Sequence, residues 1–176
     1  GGASQIPTGI RSLAEAEVLD VATGQLSRVN ALSFDRLGAV AISLANGKVL
    51  AIGGVSVQGS NVATAQPVAP ETFDVAGGQW SLAAGQAMAR AAASAALLAS
   101  GDVLVAGGRS ANGYEASAEI YSAAAGIFQP AGAMSSRRSG HSATALLDGR
   151  LMIAGGGNGQ AVLDSAEVYG SQTFAP

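Results

Sequence analysis

Residues 139–156, SGHSATALLDGRLMIAGG, run from the only histidine of the chain through an Asp148-Gly149 turn into an apolar segment ending in paired glycines. Taken alone, the stretch fits either a histidine beside a glycine-rich phosphate loop or a tight β-hairpin. Its recurrence separates the two. The turn and apolar run return as ANGKVLAIGG (45–54) and ASGDVLVAGG (99–108), and a further glycine pair, Gly1-Gly2, opens the chain. Arg36, Arg90 and Arg138 each stand 11 residues before the turn glycine and 17 before the glycine pair. A glutamate followed two residues later by a large apolar residue comes next: Glu17/Leu19, Glu71/Phe73, Glu119/Tyr121 and Glu167/Tyr169. Leu26, Trp80 and Phe128 lie nine residues beyond the glutamate, and the next arginine ten further on; the last copy is shortened, with Phe174 seven residues after Glu167.

Only the segment between glycine pair and glutamate varies, with offsets of 16, 18, 12 and 12 residues. Rigid spacing interrupted at one place implies a supersecondary unit repeated with one tolerant loop. The unit is predicted to contain four short strands: A after the arginine (HSATALL), B the VLVAGG-type run, C with the glutamate (SAEIYS), and D with the Trp or Phe. Asn46-Gly47, Ser100-Gly101 and Asp148-Gly149 suit the positive φ of a tight A–B turn. Apolar runs of four to seven residues between turn residues favour strands over amphipathic helices. Ala41, Ala95 and Ala143 recur five residues after the arginine, and Leu44, Leu98 and Leu146 eight after it, pointing to crowded, packed sheets.

Composition excludes several functions. The 176 residues are 48% hydrophobic and 12% charged, with a formal net charge of −3. That is too apolar for a disordered chain, and it offers no basic footprint for nucleic acid. Without cysteine there is no disulfide, thiolate metal site or Cys nucleophile. No apolar run reaches the length of a transmembrane helix. The chain opens without a basic and apolar leader of signal-peptide type.

Four-stranded units of about 50 residues, with a turn, a strand ending in Gly-Gly and an aromatic before a Trp, resemble kelch repeats. HSATALLDGRLMIAGGGNGQAVLDSAEVYG is similar to a near-complete bacterial motif. The resemblance implies an all-β fold of kelch-type propeller blades, each of four antiparallel strands, about 3.5 blades being present. They divide as a half blade (1–28, strands C and D) and three blades (29–82, 83–130 and 131–176). Since kelch rings close with about six or seven blades, the expectation is a portion of a larger propeller, completed by the rest of a longer chain or by another polypeptide. Bacterial kelch proteins of this type are often exported, so a periplasmic, surface or extracellular location is expected.

The glycine-rich segments lack the helix that a dinucleotide site needs after its last glycine. Arginine and glutamate recurring in every unit suit structural ion pairs better than a single catalytic site. No Ser–His–acid arrangement is recognisable. His141, where the sister units carry Ala39 and Ala93, is retained as a candidate base or ligand; the kelch pattern implies a hydrogen bond within its own blade. Function is expected in the variable B–C loops, 3–16, 55–70, 109–118 and 157–166. Candidate contacts are Gln58 and Asn61 in the second, Arg109, Asn112, Tyr114 and Glu115 in the third, and Asn158 in the fourth. No catalytic, cofactor or metal residue is assigned. The expected function is non-catalytic interaction or scaffolding, with other protein chains or the remainder of the propeller as partners. The alternative, resting on the resemblance, is a carbohydrate-binding or carbohydrate-active propeller of the galactose-oxidase or sialic-acid-epimerase kind, with glycan as ligand and a site mostly outside this segment.

Overall fold

Turn residues set the architecture. Gly47, Gly101 and Gly149 hold φ of 78°, 87° and 85° at the A–B turns, in the region glycine enters without strain. Between such turns, short β-branched and small apolar runs can only pair as antiparallel strands. The computed structural model describes residues 1–7, 9–59, 66–85 and 88–176, and none of them is helical. Among the described residues no helix is therefore long and apolar enough to cross a membrane.

The chain opens with strands β1 (Gly2–Ile6), β2 (Gly9–Leu13), β3 (Ala16–Asp20) and β4 (Gln25–Val29). The second unit comprises β5 (Leu37–Ser43), β6 (Lys48–Ser56), the short β7 (Gln58–Gly59) and β8 (Gln66–Pro67), β9 (Glu71–Asp74) and β10 (Gln79–Leu82). The third holds β11 (Ala84–Gly85), β12 (Ser94–Leu97), β13 (Val103–Ala106), β14 (Arg109–Ser110), β15 (Gly113–Tyr114), β16 (Ser117–Ser122) and β17 (Ile127–Ala133). The fourth is β18 (Ser142–Ala145), β19 (Leu151–Ala154), β20 (Ala166–Gly170) and β21 (Thr173–Ala175). Each of these three units is an antiparallel A-B-C-D meander: β5-β6-β9-β10, β12-β13-β16-β17 and β18-β19-β20-β21. In the first unit C and D, β3 and β4, form a two-stranded sheet by themselves.

The sheets stack through alternate residues of their strands. Val103 and Val105 face the second unit, packing with Leu44, Leu50 and Ile52; Leu104 and Ala106 face the fourth, packing with Leu151, Ile153 and Tyr169. Strand β13 is thus buried on both faces. An aromatic pair ties C to D in each full unit, Phe73–Trp80, Tyr121–Phe128 and Tyr169–Phe174, with ring centroids 4.9, 5.0 and 4.8 Å apart.

The recurrent arginine fastens both ends of the variable loop. Arg36 donates to the Gly53 and Ala69 carbonyls, each at 2.9 Å, and to Glu71 Oε1 at 2.6 Å. Arg90 repeats this with the Gly107 and Ser117 carbonyls and Glu119, and Arg138 with Gly155, Ser165 and Glu167. The glutamate also accepts a backbone N–H from the D–A link, from Ser33, Met88 or Ser135. Each buried charge is paired and further hydrogen-bonded, the condition under which a buried pair is tolerated, although the Nε of Arg36 and of Arg138 has no acceptor. At Glu167, burial alone would raise the pKa, but the Ser135 and Arg138 donors outweigh it and hold the carboxylate below its ordinary value. Because the loop ends are fixed, the residues between them can vary.

Candidate functional site

The variable loops form a continuous row. The first, expected only as a variable loop, contains a β-hairpin of β1 and β2 whose edge pairs with β7 of the second loop, Ile10 opposite Gly59 and Arg11 opposite Gln58. Ser12 seals this junction: its Oγ accepts the Val57 N–H at 2.8 Å and donates to Asp35, which also accepts from Ser56 Oγ at 2.7 Å. Strand β8 of the second loop then approaches β14 of the third. The third touches the fourth where the Tyr114 ring lies over Gly159, so closely that a Cβ there would sit 2.6 Å from the ring edge.

Within this row the third loop is braced by its own side chains. Arg109 pairs with Tyr114 across β14–β15, its guanidinium 5.4 Å from the ring centroid. That stacking leaves the Arg109 side chain exposed and pre-oriented at the tip. Asn112 is exposed, and its N–H donates to Ser110 Oγ at 3.0 Å. Glu115 turns inward, accepting from Ser110 Oγ and Ser117 Oγ, so it braces the loop rather than offering a free carboxylate. Asn158 behaves similarly, its Oδ1 accepting the N–H groups of Gln160 and Ala161, both at 2.9 Å. Gln58 lies on β7, and Asn61 falls outside the described residues. The structure therefore brings Arg109, Asn112 and Tyr114 together at one tip, with Glu115 and Asn158 as their supports.

His141 is set apart from this row. It is buried between the third and fourth sheets, with Nε2 2.7 Å from Ser94 Oγ. That partner belongs to the neighbouring unit, so the bond crosses between units where the sequence suggested one inside its own. Burial pushes the imidazole pKa down to about 4, the Arg138 charge pushes the same way, and the nearby Ala106 and Arg138 carbonyls offset only part of it. Nδ1 has no hydrogen-bond partner. A neutral ring closed off from solvent has no access to substrate, and its role is packing and inter-unit bonding. Among the described residues no group of three His, Cys, Asp or Glu side chains converges as metal ligands would.

Sequence reasoning missed a second concavity, a cavity of about 760 Å³ between β3–β4 and the sheet of the second unit. Val49, Ala51, Phe73 and Trp80 line one wall, and Ala16, Glu17 and Val18 the other. No family model matches the chain, and no curated protein matches it.

Proposed function

We propose that the chain is a run of kelch-type propeller blades serving as a non-catalytic platform for protein–protein contact, within an exported or cell-envelope protein. The observation that carries this reading is the contiguous loop row. In the three full units the one chemically varied part of the repeat is anchored at both ends by the same buried Arg–Glu clamp, and each loop of the row abuts the next. Such a surface varies its contacts without disturbing the sheets beneath it. Recurrent charges are consumed inside the units, and the histidine is buried and neutral, so neither supplies a reactive group.

Site-specific photo-crosslinking in the native host tests the proposal. A photoreactive residue at Asn112, on the exposed loop tip, is expected to capture a discrete protein partner. The same residue at Asn46, on the A–B turn at the other end of the sheet, is expected to capture none. Saturable glycan binding abolished by Tyr114→Ala, with no protein adduct at position 112, would replace this reading with the carbohydrate one.

A further inference from the structure

Three Asn-Gly pairs stand in the sequence, at 46–47, 112–113 and 158–159, and the fold treats them differently. Such a pair carries its own reagents: the glycine nitrogen attacks the carboxamide carbon of the asparagine before it, since glycine has no Cβ to block the approach and reaches the backbone angles required. How firmly the amide is held decides the outcome. At Asn46, Nδ2, the atom that must leave, donates to the Ala123 carbonyl of the third unit at 2.8 Å, and Oδ1 accepts the Lys48 N–H at 3.2 Å. At Asn158, Oδ1 accepts the N–H groups of Gln160 and Ala161, and the Tyr114 ring lies over Gly159. Asn112 is exposed, and among the described residues its carboxamide makes no hydrogen bond; only its main-chain N–H is engaged, donating to Ser110 Oγ. A Cβ at Gly113, whose φ is 111°, would meet nothing within 4 Å. Ser110 and Gly113 are the last pair of a hairpin with two residues on each side, so the pair opens locally and frees the glycine nitrogen without disturbing a larger sheet.

We propose that Asn112 is a self-modification site, the Asn-Gly pair that the fold leaves open to deamidation while it protects the other two. The Gly113 nitrogen bonds to Asn112 Cγ and the Cγ–Nδ2 bond breaks. Nδ2 leaves as ammonia, carrying the proton that the Gly113 nitrogen gave up, and a cyclic imide remains. Water then adds to either imide carbonyl. Cleavage at Cγ yields aspartate, and cleavage at the main-chain carbon yields isoaspartate, with the chain rerouted through Cγ. The balance is one water consumed and one ammonia released, with no oxidant and no cofactor. Either product places a carboxylate at the loop tip where a neutral amide stood. Isoaspartate also inserts a methylene into the main chain, which shifts Gly113 from Ser110 and moves Tyr114 relative to Arg109 and Gly159, the contacts that shape the tip. The modification follows from the geometry of the loop and does not depend on what the row binds.

Ageing the purified 176-residue chain in warm, mildly alkaline buffer, followed by peptide mass mapping, tests this. The peptide spanning Asn112 is expected to gain the mass of an amide-to-acid exchange and to separate into aspartate and isoaspartate forms. Its rate should rise with pH, because the Gly113 nitrogen attacks after losing its proton. It should run roughly ten-fold or more ahead of the peptides containing Asn46 and Asn158, the scale of releasing one or two hydrogen bonds. In urea the three rates should converge, which separates the contribution of the fold from that of the Asn-Gly sequence. Asn112→Gln, whose longer side chain would have to close a larger ring, should leave the tip unmodified while the other two peptides behave as before. Equal rates at the three pairs in the folded chain would overturn the proposal. So would an intact Asn112 in the folded chain when the urea-unfolded chain converts there, by showing that the short hairpin holds Gly113 as firmly as the other loops hold their amides.

Discussion

Three glycine pairs with the same sequence environment meet different surroundings. At Gly107 an added Cβ would overlap the carbonyl oxygen of Arg138 from the next unit, and at Gly53 it would lie 2.8 Å from that of Arg90. At Gly155 the nearest atom is 3.8 Å away, and among the described residues no further sheet is stacked there. The side chains tell the same story. Leu50 and Leu104 are 0% and 1% exposed, whereas Met152 at the equivalent place is 36% exposed. Each unit thus presents a surface fully specified for a neighbour, and the repeat encodes the interface between units as firmly as the sheet within one.

The largest expected effect breaks that comparison directly. All three glycines hold positive φ, so alanine at any of them costs about 1–2 kcal/mol from backbone conformation alone. Gly107→Ala adds overpacking against Arg138 and is expected to lose about 2–5 kcal/mol in total. Gly155→Ala should lose only the conformational part. Urea unfolding of the two variants checks this, and equal losses would show that the third and fourth sheets do not stack as described.

The next effect uses a residue of the third–fourth interface that the other two full units do not share. His141 fills a position held by Ala39 and Ala93, and its folded pKa near 4 lies below the ordinary 6.5. Between those values the unfolded chain binds the extra proton and the folded one does not, so stability is complete above pH 6.5 and falls as pH drops toward 4. The loss is at most about 3 kcal/mol. His141→Ala is expected to flatten that part of the stability profile, measured as the urea midpoint against pH. An unchanged slope would show that His141 is not the source of the acid sensitivity.

What the sequence disclosed follows from what repetition can encode. Spacing located the strands, the A–B turns and the tolerant loop, because those depend on residues within one unit. It suggested ion pairing by Arg36, Arg90 and Arg138 for the same reason: their glutamates recur at matching places. It could not find the β1–β2 hairpin, which lies in the segment that never repeats and is held by Ser12 and β7 from a different loop. Nor could it pair His141 with Ser94, since aligning units on one another erases contacts between them.

The smallest effect sharpens the comparison at a single backbone position two residues after each arginine. Gly38 and Gly140 adopt φ of 75° and 67° there, and the third unit places Ala92 at 49°. The conformation is required because the chain must swing from the clamped arginine into strand A; the Ala92 carbonyl then accepts the Gly140 N–H at 2.9 Å. An added Cβ at Gly38 or Gly140 would meet nothing within 4 Å, so Ala92 carries conformational strain without a clash. Relieving that strain is worth about 1–2 kcal/mol, against which glycine in the unfolded chain costs about 0.5–1 kcal/mol in entropy. Ala92→Gly is therefore expected to stabilise the protein by up to about 1 kcal/mol, read as a higher urea midpoint with an unchanged slope. A lower midpoint would mean that the methyl group of Ala92 contributes packing that the other two units do without.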